Sequence, residues 1–178
     1  MDWIEFADNV FIAAKETFLE IQKKHEAEVF YAFALYTDSS AMSLGCSANS
    51  LQALEQKLRH EDYEGAAAED LAYIKWSSSE WAYEGIGAER FAEACRQLRA
   101  TSEPGDVDSL CEKLEAVLAQ VLSRLNDEGV FKSNRQAAKP VIFVTVTDDD
   151  DAERMENETA AKLNEGAALF EFLNRYET

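Results

Sequence analysis

The stretch from Pro140 to Asp151 constrains the fold more than any other. Val141, Ile142, Phe143, Val144, Thr145 and Val146 are all β-branched or aromatic, with Pro140 before them and Thr147, then four aspartates, Asp148, Asp149, Asp150 and Asp151, after. A short apolar run bounded by proline and by charge predicts an interior strand, the spine of a sheet, whose C-terminal end emerges into water. Neighbouring aspartates in extended chain point to opposite sides, and the alternating acids and central glycine of a calcium loop are missing. The quartet therefore reads as a solvated strand end that caps the next helix, and no metal is expected there.

Around this strand the pattern is mostly helical. Between Trp3 and Lys24, Ile4, Ala7, Phe11, Ala14, Phe18 and Ile21 recur at a 3,4 spacing, with Asp2 placed as a cap and Lys23, Lys24 and His25 at the negative end. Val29–Leu35 and Ala41–Ala48 predict a hairpin of an inner strand and one nearer the edge. Ser50–His60 predicts a helix capped by Asn49 or Ser50, Glu61–Asp70 a loop, and Leu71–Trp76 a further strand by β-preference. Ala88–Thr101 predicts a helix with Phe91, Cys95 and Leu98 inward, ended at Pro104–Gly105. The strongest helix runs from Val107 to Leu125, with Asp106 before it and Gly129 closing it, and Lys132–Lys139 connects it to the opening strand. Glu153–Asn164 and Gly166–Tyr176 predict the last two helices. The sum is a single α+β domain over residues 1–178, with a central, mainly antiparallel sheet of about four strands and about five to six helices.

Charge limits the partners. Thirty-five acids against 17 bases give a net charge of −18, while 47% hydrophobic residues belong to a folded globule and not to an acidic tail. Such a surface repels phosphate backbones and attracts basic proteins, so direct nucleic-acid or anionic-membrane binding is disfavoured and a basic protein partner is expected. Cys46, Cys95 and Cys111 form no CxxC pair and leave an odd thiol, which suits a reducing compartment. Residues 1–6 lack a basic n-region and no apolar run approaches a membrane span, so the expected location is cytoplasmic.

Catalytic signatures are missing. There is no GxSxG, P-loop or GxGxxG, and His25 and His60 lack zinc spacing, so neither a cofactor nor a metal is expected and enzyme chemistry is disfavoured. Cys95 and Cys111 fall on apolar faces, leaving Cys46 beside Gly45 as the one thiol open to a Cys-His pairing. The segment Glu80, Trp81, Tyr83 and Glu84 has two readings: aromatics filling the core below a turn, or a surface anchor whose carboxylates Glu80 and Glu84 meet lysine or arginine.

Three blocks, AFALYTD at Ala32–Asp38, SEWAYE at Ser79–Glu84 and VIFVTVTD at Val141–Asp148 followed by Leu163 and Asn164, together resemble a bacterial family of small acidic α+β proteins defined as a domain of unknown function. The resemblance covers nearly the whole chain. Because members are encoded near polymorphic toxin systems, it implies a role as an immunity protein or a related binding module, and it carries over no catalytic residues. The leading expectation is thus a non-enzymatic inhibitor of a basic toxin or nuclease, with Glu80, Trp81, Glu84, Asp148, Asp149, Asp150 and Asp151 on the binding face. The alternatives are an enzyme or small-molecule binder with a pocket at the C-terminal end of the 141–146 strand, and a homo-oligomeric structural protein.

Overall fold

A three-stranded mixed sheet lies at the centre of the computed structural model, which describes residues 1–61, 63, 65–101, 107–132, 139–149 and 152–177. The strands are β1 (Phe30–Asp38), β2 (Leu44–Ser50) and β3 (Val141–Thr147), in the order β2-β1-β3. β1 and β2 form the expected antiparallel hairpin, with Tyr36 opposite Gly45. β3 runs parallel to β1, from Ala32 opposite Val141 to Asp38 opposite Thr147. The seven α-helices among the described residues are α1 (Trp3–Lys24), α2 (Leu51–His60), α3 (Ala68–Trp76), α4 (Ala92–Thr101), α5 (Val107–Asp127), α6 (Ala152–Leu163) and α7 (Ala167–Leu173).

The sheet is smaller than expected, and one predicted strand is a helix. Leu71–Trp76 falls in α3, where Glu69 and Asp70 occupy the first turn and Lys75 the last, both favourable to the helix dipole. Only Ile74 and Trp76 of α3 are buried, so a helix that touches the core at one end overrides a local β-preference. β3 is not the spine; β1 is. β3 nevertheless reads as an interior strand because Val141–Val146 are all buried, and its free edge is sealed by side chains of the helix that follows it. Asn164 accepts from the Ile142 amide (2.9 Å) and donates to its carbonyl (2.7 Å), and Thr159 accepts from the Val144 amide (3.0 Å). A covered edge offers no free ladder to another chain. β2's outer edge is closed by backbone, Ala48 N–H donating to the Tyr83 carbonyl at 3.1 Å.

The two sheet faces carry different cores. Phe33, Leu35, Cys46, Ile142 and Val144 face a large cluster with α1, α4 and α5. Ala32, Ala34, Val141 and Phe143 face a smaller, aromatic one built on Trp76, Trp81 and Phe172. α1 keeps its expected bounds, with Asp2 accepting from the amides of Ile4 and Glu5, but its buried face centres on Phe6, Val10, Ala14 and Phe18, and Ile4 is 78% exposed. Ser50 caps α2 through Ala53 N–H, and Gly129, at φ 78°, closes α5 with Val130 N–H bonded to the Leu125 carbonyl. The expected cap Asp106, the Pro104–Gly105 break and most of the Lys132–Lys139 connector lie outside the described residues.

Candidate functional site

The parallel pairing of β1 with β3 sets both carboxyl ends side by side, and a hollow of about 320 Å³ opens there. This is where open sheets with parallel strands bind ligands. Thr37 and Ser39 form the β1 side, Val146 and Asp149 the β3 side, and Arg154 and Met155 come from the first turn of α6. The remaining wall is one stripe of α5, Asp108, Cys111, Glu112 and Glu115, whose 3, 1 and 3 spacing sets all four on one helical face. Four carboxylates thus line the hollow with one guanidinium. Arg154 reaches Glu115 at 3.8 Å and Glu158 at 3.4 Å, while Asp108 and Glu112 are exposed.

The rim is built locally. Asp38, ending β1, accepts from the amides of Ser40 (2.9 Å) and Met42 (3.2 Å) and from the Ser43 hydroxyl. Burial alone would raise its carboxyl, but these donors outweigh burial and hold it below its ordinary value. Asp148 ends β3 at φ 58°, a left-handed conformation that aspartate tolerates better than most residues, and the chain turns so that the Asp149 carbonyl accepts from Ala152 N–H at 3.2 Å. Cys111 is half-buried in this wall, and burial together with Asp108, Asp149 and Asp38 pushes its thiol up. A thiol held protonated is a poor nucleophile. Cys46, fully buried, is pushed up further by burial, which removes the Cys-His reading that the sequence left open there. Among the described residues no three His, Cys, Asp or Glu side chains are grouped to hold a metal ion, and no helix is long and apolar enough to cross a membrane.

The expected binding residues fall in separate places. Trp81 is a core residue, 4% exposed, its indole donating to the Lys75 carbonyl at 2.9 Å and its ring edge-on to Phe143, so the aromatic surface anchor is not available. Glu80 is paired with Lys57 at 2.6 Å. Glu84 is exposed beside Tyr36, whose hydroxyl is pushed up to about 12 by burial and by that carboxylate. Asp148 and Asp149 are exposed at the end of β3, with Asp149 in the hollow, and Asp150 and Asp151 lie outside the described residues. The α5 acids were not singled out from sequence; their spacing was visible, but nothing local says that this face of α5 looks onto the ends of β1 and β3.

A second polar cluster also went unforeseen. Glu28, just before β1, accepts from the Tyr83 hydroxyl (2.7 Å) and from Ser50, and its other oxygen stands 3.0 Å from His25 Nδ1. Burial would raise the Glu28 carboxyl, but the hydrogen bonds from Ser50, Tyr83 and His25 hold it below its ordinary value, while burial and Glu28 push the Tyr83 hydroxyl up. Every carboxylate oxygen here has a partner, so the cluster ties the α1–β1 turn, the end of β2 and the 81–86 segment together.

No curated protein and no solved structure matches the chain. A family model, domain of unknown function DUF4303, matches residues 12–165, nearly all of the sheet and the helices around it. The chain belongs to the DUF4303 family.

Proposed function

We propose that this protein is a non-enzymatic binding protein for a basic protein partner, an immunity-type inhibitor that occludes a cationic toxin or nuclease, with the hollow at the carboxyl ends of β1 and β3 receiving a lysine or arginine side chain. The observation that carries this reading is the lining of that hollow by Asp108, Glu112, Glu115 and Asp149 against the single Arg154. The net charge of −18 steers a basic partner toward it, raising association rates by up to about 10³ at low salt. The resemblance to proteins encoded beside polymorphic toxins points the same way. Because Trp81 is internal, the residence time comes from carboxylate contacts and not from an aromatic anchor.

A lysine- and arginine-rich peptide, titrated calorimetrically at 50 and 200 mM salt, is the probe. Binding that weakens with salt and falls at least about tenfold in Asp108→Lys/Glu112→Lys supports the proposal. Affinity indifferent to salt, or unchanged by that charge reversal, overturns it. The position of the hollow at the ends of parallel strands and its size also favour a second reading, a small cationic metabolite as ligand. Spermidine binding more tightly than the peptide would select that reading.

A further inference from the structure

We propose that the hollow at the opposite, amino-terminal end of β3 is a binding site for a small organic anion, a carboxylate or phosphate that carries an apolar group. This hollow, about 240 Å³, lies below the ~300–1,000 Å³ of drug-sized sites, so it suits a small molecule. Its apolar wall is Phe131, Val141, Leu163 and Leu169, and its charged rim is Lys132, Lys139 and Lys162 with the single acid Glu165.

In a chain with twice as many acids as bases, lysines find carboxylates readily. Among the described residues Lys15, Lys24, Lys57, Lys75 and Lys139 each reach a glutamate, whereas Lys23, Lys113, Lys132 and Lys162 reach none, and two of these four, Lys132 and Lys162, stand on this rim beside an apolar wall. α5 ends at Asp127 and α6 at Leu163 beside the hollow, and each helix end contributes about half a negative charge. With Glu165 included, roughly one positive charge stays unbalanced next to an apolar wall. Lys132 is laid along the end of α5, its Cδ 3.3 Å from where a Cβ on Gly129 would stand. Charge beside apolar surface is what an anion with a hydrophobic body recognises, the ammonium groups meeting the oxygens and the wall meeting the rest. The site is separate from the acidic hollow, and its fate does not depend on that reading.

Phenyl phosphate and benzoate, titrated by ¹H–¹⁵N chemical shift at low salt, test this. The expected result is saturable shifts at Val141, Ile142 and Leu169, weaker binding of inorganic phosphate, no binding of the uncharged benzyl alcohol, and at least a tenfold loss, about, in Lys132→Gln/Lys162→Gln. The control Lys23→Gln/Lys113→Gln, which removes the same charge elsewhere, is expected to bind as the wild type does. Equal binding of benzyl alcohol, unchanged affinity in Lys132→Gln/Lys162→Gln, an equal loss in the control, or no saturation would each overturn the proposal.

Discussion

Glu28 and Glu112 stand near opposite ends of β1 and have opposite surroundings. Glu28, before the strand, is satisfied by Tyr83, Ser50 and His25, and its carboxyl is held low. Glu112, on the α5 face beyond the strand's carboxyl end, shares its hollow with Asp108, Glu115 and Asp149. One arrangement uses a carboxylate to close the fold, and the other gathers four carboxylates around one guanidinium, with Asp108 and Glu112 exposed to solvent. The difference separates acids that stabilise from acids that recognise. A third acid, Glu156, sharpens it: with little of its side chain exposed, it is pushed up by burial despite Thr145 and Arg175 beside it.

The largest effect is expected at that third acid. The Arg175 side chain is 1% exposed; it donates to Glu156 (2.8 Å) and to the Phe172 carbonyl (2.8 Å), and its guanidinium lies 4.1 Å from the centre of the Phe172 ring. Arg175→Ala strands Glu156 and should cost about 3–5 kcal/mol by urea denaturation, whereas replacing both by methionine should cost far less, since the pair's desolvation disappears with it. A large loss in the double variant would show that the pair itself stabilises.

Glu28→Ala comes next, at about 1–2 kcal/mol, because it leaves the buried Ser50 hydroxyl and the half-buried Tyr83 hydroxyl without their acceptor while solvent reaches part of the site. The pH signs of the two acids are opposite. Glu28, low in the folded state, contributes stability that is present above its unfolded value near 4.5 and is lost as pH falls through the folded value. Glu156, raised in the folded state, makes stability fall as pH rises from about 4.5 through its folded value. Glu28→Gln should flatten the acid limb of the stability profile, and Glu156→Gln the limb above it. An unchanged acid limb in Glu28→Gln would remove Glu28 from the closing role.

What could be read in advance follows the range of the forces. α1, α2, α5, α6 and the β1–β2 hairpin are legible because their periodicity, caps and turn residues act within a few positions. α3 was not: Leu71–Trp76 carries a local strand preference that the placement of Trp76 in the aromatic core overrides. The edge position of β3 was hidden for a related reason, since Thr159 and Asn164, 15 and 22 positions further along, on and just past the next helix, seal it and leave it as apolar as a central strand. Of the candidate site, the end of β3 was visible in Asp148 and Asp149. The α5 wall was not, because only the tertiary crossing of α5 against β3 brings Asp108, Glu112 and Glu115 to that end.

For the acids that recognise, removal should be nearly free. Glu112→Gln and Asp108→Asn are each expected within about 0.5 kcal/mol of the wild type, and together they should raise the Tm slightly by relieving like-charge repulsion. That gain should shrink in 0.5 M salt, where exposed charges are screened. A combined loss above about 1 kcal/mol would place these two among the closing carboxylates and erase the contrast with Glu28.

The smallest effect is expected next to the hollow, at Asp148. At φ 58° its backbone pays a local cost that glycine would not, yet glycine also loses more freedom on folding, so Asp148→Gly should change stability by about 0.5 kcal/mol or less, toward stabilisation. Asp148→Val, β-branched and poorly suited to positive φ, should lose about 1–2 kcal/mol by the same denaturation measurement. If glycine were as damaging as valine, the Asp148 side chain and not its backbone would hold the turn. The carboxylate would then belong with Glu28, as an acid that closes the fold beside the hollow that Asp149 lines.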